Sequence, residues 1–432
     1  MSTVILVEPT APGLRAIEAV NNAGHRSVVV RSPIHDYLLT DEQHARRREL
    51  ADLVITLDDL HDLPAVLTAL TDHGVDLDEV VGAFTTVHLC VLAAAQLAKH
   101  LGLPGTAPDI LAAAKDKAVC RTLLDQAGVP NLQHGVAAGL SEALEVAARI
   151  GYPVAVKPVH GTGKAHAGIA HDEWQVRALF ESDQTAAANA QPALFDQMDG
   201  RFVVEELAVG PLYSVEVACD GQSWTPLVAI RRKLGRDNPI VELGSTVPCG
   251  LSAEDEEILN DYAVQACRAA RLSTGVYHVE VIGTADGPRL VEINPRIAGG
   301  AIPDLVETAT GVNLFDVLAD VSTSKPAPAS PLPHLAGVSH TFITAAEDCV
   351  VRADLPDDWF EQYRPRIHSG WSSIRAGSQL RRMNGNYDVY GVVRVVAGDA
   401  HAAEADCARL VGELEQQLGV PLTPIAGLEQ LA

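Results

Sequence analysis

Apolar positions in the N-terminal part of the chain fall into short runs separated by amphipathic stretches. The runs TVILV, RSVVV, DLVIT and EVVGAF are typical of buried strands, and GLRAIEAVNNAG and HLCVLAAAQLAKHLG have helical spacing. This alternation predicts a parallel α/β layer. The loop after the first run, EPTAPG, holds one glycine and is no dinucleotide fingerprint. We therefore predict an open α/β domain over residues 1–110 that scaffolds the site or holds substrate.

The rest of the chain divides at a segment rich in Pro, Ser and Ala, VSTSKPAPASPLPHL, which predicts a linker. Before it, ILAAAKDKAVCRTLLDQAGVP predicts one helix that Gly128 and Pro130 end. After it come a strand, DVYGVVRVVAG, and an amphipathic helix, AAEADCARLVGELEQQLG. We expect a central domain over 111–325, with a glycine-loop subdomain near 125–208, and a small α+β domain over 326–432.

Two alternating runs, GVYHVEVIGT and PRLVEINPR, flank an Ala-Asp-Gly turn and predict a β-hairpin. When the hairpin is centred on the aspartate, Glu280 faces Glu292 and His278 faces Asn294. A slip by one residue would set the polar face against an apolar one, so this register is favoured. Directly opposed carboxylates repel each other, so a positive charge should lie between them. Two carboxylates and an amide suit a hard cation such as Mg²⁺, and a solvated face with a chance Glu–Glu pair is the alternative.

The second strand of this hairpin ends in VEINPRIAGG. Alternation predicts Val291 and Ile293 on the apolar face, and Arg296 follows just past the strand end. The pair Gly299–Gly300 leaves room for a sizeable substrate side chain beside it.

A glycine-rich loop follows another apolar strand, in YPVAVKPVHGTGKAHAG. The strand delivers Lys157 as a point charge, and small loop residues let backbone N–H groups approach a phosphate. The loop glycines are Gly161, Gly163 and Gly168. The P-loop pattern is absent, and a plain hairpin turn is the alternative. Further on, RFVVEEL ends a buried run in Glu205 and Glu206, which are either edge charges or contacts to an adenine or ribose.

The charge composition restricts the kinds of partner that the protein can bind. Lys and Arg number 32 against 56 Asp and Glu, a formal charge of −24. That balance argues against non-specific binding to nucleic acid or to an anionic membrane surface.

The seven cysteines are scattered without a C-x-x-C pair, so a reducing compartment is expected. The start, MSTVILVEPT, is typical of a strand and not of a signal peptide, and no run is long enough to cross a bilayer. We predict a cytoplasmic protein.

Five motifs together resemble the ATP-grasp superfamily, and most of all its carboxylate–amine ligases, which include the L-amino acid ligases. They are the lysine of DKAVCRTLLDQAGVP (Lys117), VAVKP, VVEEL, YHVE and VEINPRIAGG, in the family's order and spacing. The resemblance covers nearly the whole chain. It implies an ATP-grasp fold of mixed α/β and α+β character, with an N-terminal pre-ATP-grasp domain and a small C-terminal α+β domain.

The resemblance also implies roles for particular residues. Lys117 and Lys157 would bind ATP phosphates, while Glu205, Glu206 and nearby backbone would contact the adenine. The metal ligands would hold two Mg²⁺ ions, or Mn²⁺ in their place: Glu280, Glu292 and Asn294, with Glu292 bridging. Arg296 would bind the γ-phosphate, the acyl phosphate or a substrate carboxylate.

For several residues the sequence allows either a role in the site or an ordinary structural role. Arg231 and Lys233, in IRRKLGRDNP, are either cations near the intermediate or a solvated strand end, and His278 is either near substrate or a strand histidine bonded to Asn294. VELGSTVPCG resembles the family's mobile segment over the acceptor site, and its Cys249 lacks an evident base partner. Relatives often have a contact to ribose where this chain has Leu212.

The function implied is an ATP-dependent ligase that converts a carboxylate to an acyl phosphate and couples it to an amine. The substrates implied are ATP and two small molecules, a carboxylate and an amine of the amino acid type, and a homodimer is the assembly common in the family. One alternative acceptor is a carrier-protein thiol, for which a basic patch in YRPRIHSG or QLRRMNG would be the sign. A nucleotide-binding module without catalysis is the other, although the intact row of metal ligands speaks against it.

Overall fold

A computed structural model describes residues 1–161, 167–181, 199–385 and 388–426. Four parallel strands in the order β3-β2-β1-β4 form the first sheet, which confirms the predicted α/β layer. The strands are β1 (Thr3–Val7), β2 (Arg26–Arg31), β3 (Leu53–Thr56) and β4 (Val80–Phe84). Helices of this part are α1 (Leu14–Asn22), α2 (Asp41–Leu50), α3 (Leu63–Asp72) and α4 (Val91–His100).

Two helices, α5 (Pro108–Lys115) and α6 (Lys117–Ala127), replace the single helix predicted before Gly128. Asp116 has an extended backbone between them and caps α6, because its side chain accepts a hydrogen bond from the Val119 N–H at 2.9 Å. The prediction of one helix was wrong at this residue, whereas Gly128 ends α6 in the left-handed conformation as expected. The break places Lys117 in the first turn of a new helix.

The second sheet has four antiparallel strands in the order β5-β8-β6-β7. They are β5 (His134–Ala137), β6 (Val154–Pro158), β7 (Gly168–Ala170) and β8 (Phe202–Glu206). Helices α7 (Leu140–Ile150) and α8 (Glu173–Glu181) pack beside it around a small apolar core. Lys157 therefore lies at the end of β6, as predicted.

The largest sheet is antiparallel and has the strand order β13-β12-β9-β10-β11-β14-β18-β16. Its strands are β9 (Leu212–Cys219), β10 (Trp224–Leu234), β11 (Glu242–Val247), β12 (Gly275–Thr284), β13 (Gly287–Asn294), β14 (Gly337–Ile343), β16 (Ser369–Ser372) and β18 (Gly391–Ala397). A separate pair joins β15 (Cys349–Val350) to β17 (Gln379–Leu380). The remaining helices are α9 (Ala253–Ala269), α10 (Ile302–Thr310), α11 (Leu314–Ser322) and α12 (Ala400–Leu418).

This sheet runs across the boundary expected near residue 325. The segment from Thr323 to Ala336 lies between α11 and β14 without a helix or strand, which agrees with a linker or exposed crossing. β14 nevertheless pairs with β11, so strands from both sides of the crossing share one sheet. The division into domains stays a prediction. Within the described part of the chain, no helix has the length and apolar character needed to span a membrane.

The β12–β13 hairpin has the predicted register at its polar end and a different one near its turn. Glu280 pairs with Glu292 and His278 with Asn294, but the register shifts by one residue between Glu280 and Val281. Val291 is the extra residue of this bulge, and the N–H of Leu290 leaves the ladder for the Tyr262 hydroxyl at 2.7 Å.

The bulge changes which side chains reach the core. Leu290 and Ile293 lie in the core, whereas Val291 lines a cavity on the polar side of the hairpin. The prediction that Val291 faces the core was therefore wrong, since alternation fails across a bulge.

Most of VELGSTVPCG, which resembles a mobile segment of the family, forms β11, a buried strand inside the large sheet. Gly244 allows this close packing, because a Cβ there would lie 2.1 Å from the carbonyl oxygen of His340 on β14. Cys249 is also buried, which raises the pKa of its thiol to about 12 and makes it a poor nucleophile.

Candidate active site

A cavity of about 610 Å³ is lined by residues of both the second sheet and the large sheet. Of the predicted site residues in the described part of the chain, all but Lys233 line it. These residues are Lys117, Lys157, Glu205, Glu206, His278, Glu280, Glu292, Asn294, Arg296 and Gly300. Gly163 lies outside the described residues.

One wall of the cavity is the polar end of the hairpin. The Lys117 ammonium lies 3.2 Å from a Glu292 carboxylate oxygen and donates to the Gly161 carbonyl at 3.2 Å. Asn294 donates from its side-chain amide to the other Glu292 oxygen at 3.0 Å. Burial favours the protonated form of Glu292, but Lys117 and Asn294 outweigh it and hold the pKa at about 2. Glu292 is thus an ionised carboxylate beside a cation.

Lys157 forms an ion pair with a buried carboxylate. Its ammonium lies 2.9 Å from Glu205, whose other oxygen accepts from the Arg121 Nε at 2.8 Å. Burial acts to raise the pKa of Glu205, yet these two cations lower it to about 2. Arg121, buried with an exposed fraction of 2%, also donates to Asn131 at 3.1 Å. Both Glu205 oxygens are therefore engaged within the protein.

The neighbouring carboxylate, Glu206, is also engaged. Its two oxygens accept from the backbone and side-chain N–H groups of Gln133, each at 3.0 Å. The segment from Leu207 to Gly210 and the apolar Leu212 line the cavity beside it. The carboxylates predicted to contact adenine thus have protein partners already, and this part of the cavity offers backbone and apolar surface.

His278 lies in a buried charge cluster next to the metal-ligand row. Its Nδ1 bonds the buried Glu216, its Nε2 lies 3.4 Å from Glu280, and Asn294 is not among its hydrogen-bond partners. Burial lowers the pKa of the imidazole, but Glu216 outweighs burial and raises it to about 9. The alternative of a strand histidine bonded to Asn294 is wrong, because the carboxylate partners lie on β9 and β12.

The cavity-lining cation of β10 is Arg232, between the two residues considered from the sequence. It forms an ion pair with Glu242 and lies 3.9 Å from Glu280. Lys233 faces the other side of the sheet and is buried, and Arg231 pairs with Glu404 at 2.9 Å. The structure does not bring Lys233 into the cavity, since strand alternation puts adjacent side chains on opposite faces.

Arg296 and Gly300 lie where the chain leaves β13 for α10. The guanidinium of Arg296 donates to the Ile297 carbonyl at 2.8 Å and reaches the Asn294 amide oxygen at 3.4 Å. Gly300 has a φ of +60° and open space at its Cβ position. A cation therefore lies at the end of the metal-ligand row, with space beside it.

Sequence reasoning missed several residues of this site. Arg121 is on α6 with Lys117, and its polar character inside an otherwise amphipathic helix gave no sign of its partner. Glu216 looked like an ordinary strand residue in YSVEV. Every residue of this strand is buried, and a carboxylate in such a strand indicates a buried partner of opposite charge. Alternation predicts that Arg232 and His340 face the cavity only when it is known which face of each strand lies towards it.

The polar row fits a hard cation. Its three side chains offer oxygen ligands, and the pairing of Glu280 with Glu292 leaves two carboxylates directly opposed. A group of three or more His, Cys, Asp or Glu side chains arranged for a metal does not occur among the described residues. The predicted set of Glu280, Glu292 and Asn294 has two carboxylates and takes its third oxygen ligand from the Asn294 amide, and it stays a prediction.

The chain is similar to known proteins in sequence and in fold. A family profile described as ATP-grasp domain matches residues 150–304. An uncharacterized protein of Sinorhizobium fredii, y4rH, is 25% identical over 429 residues, which are 99% of this chain and 85% of that protein. Dapdiamide A synthase of Enterobacter agglomerans is 28% identical over 218 residues, so the match spans about half of either chain (49% each).

Among solved structures, the L-amino acid ligase from Bacillus licheniformis superposes with a TM-score of 0.72 at 16% sequence identity. The superposition covers 96% of this chain and 97% of that one. At such low identity the likeness concerns the fold.

Proposed function

We propose that the chain is an ATP-grasp ligase that activates a substrate carboxylate with ATP and joins it to an amine. The match of residues 150–304 to an ATP-grasp domain profile and the partial similarity to dapdiamide A synthase support this proposal. The products would be an amide or peptide bond, ADP and phosphate. The observation that carries this proposal is the arrangement of two lysines, a Glu–Glu–Asn row and an arginine around one cavity. Similarity to enzymes named dapdiamide A synthase and L-amino acid ligase supports amino acids or related small molecules as substrates.

ATP would lie between the two sheets. Lys117 and Lys157 would neutralise its phosphates, and Glu205 would hold the Lys157 ammonium in place. The adenine would pack against the segment from Leu207 to Gly210.

The row of Glu280, Glu292 and Asn294 would hold Mg²⁺, which in such sites neutralises phosphate charge. Lys117 stabilises the carboxylate form of Glu292 before any ligand binds.

The chemistry would proceed in two transfers. An oxygen of the substrate carboxylate attacks the γ-phosphorus of ATP, and ADP leaves with the electrons of the broken P–O bond. The amine nitrogen then attacks the carbonyl carbon of the acyl phosphate, and phosphate leaves as the nitrogen loses a proton. Arg296 would stabilise negative charge in both steps, because its guanidinium lies at the end of the row.

Nucleotide turnover with Mg²⁺ and pools of amino acids tests the proposal directly. ADP and phosphate, released only with particular pools, are expected from acyl-phosphate chemistry. AMP and pyrophosphate would indicate adenylation and would refute the mechanism. Release that does not depend on any pool would refute the ligase assignment.

Replacement of Glu292 by alanine tests the row itself. Glu292→Ala should reduce turnover by more than about a hundredfold, since several kcal/mol of charge stabilisation would be lost. Asp286→Ala, in the exposed turn of the same hairpin, is the matched control and should retain activity. Full ATP consumption in Glu292→Ala would show that the row does not serve the reaction.

The carrier-thiol alternative has less support. In YRPRIHSG, Arg366 pairs with Glu413 at 2.5 Å and Arg364 with Glu361 at 3.4 Å. These glutamates offset the basic charge that a carrier protein would need.

A further inference from the structure

One wall of the cavity has no part in the ATP chemistry proposed above. It consists of side chains from three neighbouring strands of the large sheet, β10, β11 and β14. Arg232 pairs with Ser245, and Ser245 pairs with His340, so the three residues form a row across the sheet. Phe342 lies two residues beyond His340 on the same face, and all four residues line the cavity.

Hydrogen bonding fixes the form of His340. Its Nδ1 accepts the backbone N–H of Ser245 at 3.2 Å, so the ring proton is on Nε2. The side chain is buried, with an exposed fraction of 3%, and Nε2 has no hydrogen bond to another described residue. The ring therefore presents one N–H donor that lacks a partner at the cavity wall.

The charges around His340 keep it neutral. Burial lowers the pKa of the imidazole, and Lys233, Arg394 and Arg232 lower it further, to about 3. Lys233 is fixed on the opposite face of the sheet by Ser339, His340 and Thr341, at 2.7, 3.1 and 2.8 Å.

The donor at this wall discriminates between ligand groups. A substrate ammonium group cannot accept a hydrogen bond from the Nε2–H, because an ammonium group has donors only. A carbonyl or carboxylate oxygen would accept it.

An aromatic ring completes the wall. Phe342 contacts His340 edge to face, with centroids 5.1 Å apart and an interplanar angle of 81°. Phe342 also lines the cavity, so it offers apolar surface for the stem of the same substrate group.

We propose that His340 is a specificity-determining residue, whose Nε2–H donates to an oxygen on the side group of one substrate. The pocket selects substrates that carry a carboxamide or carboxylate side group over those with an aliphatic or ammonium group. This inference rests on the proposed function for its turnover test, but the pocket itself follows from the row Arg232–Ser245–His340.

Four amino acids of similar size test the selection: asparagine, aspartate, leucine and 2,4-diaminobutyrate. Each is supplied with Mg-ATP and a pool of partner amino acids, and kcat/KM is measured from ADP release. At least a tenfold preference for asparagine or aspartate over the other two is expected, because an unpaired buried donor disfavours a group that cannot accept. A preference for leucine or diaminobutyrate would overturn the proposal.

Two variants test whether His340 causes the preference. His340→Phe keeps an aromatic ring but removes the donor, and should reduce the preference about tenfold, because kcat/KM falls more for asparagine and aspartate than for leucine. His340→Gln retains an N–H donor and should keep part of the preference. An unchanged preference in folded His340→Phe, or its loss in both variants together with leucine turnover, would refute a role in specificity.

A binding measurement separates this proposal from the ligase function. The four amino acids are titrated calorimetrically into the protein with Mg²⁺ and a non-hydrolysable ATP analogue. The same order of affinities, and the same effect of His340→Phe, are expected even if ADP release fails with every pool. Equal affinity for leucine and asparagine would overturn the pocket whatever the outcome of the turnover assay.

Discussion

At the scale of single residues, the site depends on buried charges that are paired before any ligand arrives. Arg121, Glu205 and Lys157 form one chain of contacts, and Lys117 and Glu292 form another. Both lysines are held by a carboxylate near the cavity, so their ammonium groups need little rearrangement to meet phosphates. The sequence identified both lysines, but their partners come from segments distant along the chain.

Removal of the Glu205 charge should destabilise the protein. Glu205→Gln leaves the buried Arg121 without its counter-ion, and about 3–5 kcal/mol of unfolding free energy should be lost. Urea unfolding measures this loss, and the KM for ATP should rise because Lys157 is no longer held. Glu206→Gln, at a carboxylate whose partner is Gln133, is the matched control and should cost under about 1 kcal/mol. Equal stability of the two variants would refute the assigned role of Arg121.

Acid should weaken the fold through the same carboxylate. The pKa of Glu205 is lowered from 4.5 to about 2, so the unfolded chain binds the proton first as pH falls. The stabilisation is complete above about pH 4.5 and is lost between there and about pH 2. Unfolding free energies measured from pH 6 down to pH 3 should fall less steeply for Glu205→Gln than for the wild type. Parallel curves would show that Glu205 makes no such contribution.

At the scale of secondary-structure elements, three local irregularities position the site. The break at Asp116 starts a new helix with Lys117, and the bulge at Val291 shifts the alternation of the hairpin. Gly244 lets β11 approach β14 closely, which brings Ser245 beside His340. Each irregularity changes which side chains share a face, and periodicity alone did not predict them.

Addition of a methyl group at Gly244 should separate these strands. Gly244→Ala would place a Cβ 2.1 Å from the His340 carbonyl oxygen at a φ of +151°, so a loss of roughly 2–4 kcal/mol is expected. Thermal unfolding measures it. Gly398→Ala, where a Cβ meets nothing within 4 Å, is the control and should be near neutral. A Gly244→Ala variant as stable as the control would mean that the strands are not packed this closely.

At the scale of the whole molecule, the cavity joins parts of the chain that the sequence assigned to different domains. Residues of the predicted central domain, such as Lys157 and Arg296, line it together with His340 and Phe342 from the predicted C-terminal domain. The continuous sheet from β13 to β16 makes this possible, since β11 and β14 are neighbours. Ligands in the cavity should therefore stabilise the molecule as a unit.

A non-hydrolysable ATP analogue with Mg²⁺ should raise the melting temperature. At a hundred times its Kd, a ligand of the folded state alone adds about 2.7 kcal/mol. The double variant Glu280→Gln, Glu292→Gln should keep part of the shift from nucleotide alone and lose the part that requires Mg²⁺. A magnesium-dependent shift of the same size in this variant would place the metal elsewhere.

The sequence by itself determined the α/β layer, the hairpin register at Glu280 and Glu292, and the identity of most charged residues around the cavity. These features depend on alternation, turn residues and spacing, which are local and can be read along the chain. Only the tertiary structure decided that Arg232 and not Lys233 faces the cavity, that His278 bonds Glu216, and that β11 is a buried strand. Those outcomes depend on which strands become neighbours and on where the register shifts, and such contacts join segments far apart in sequence.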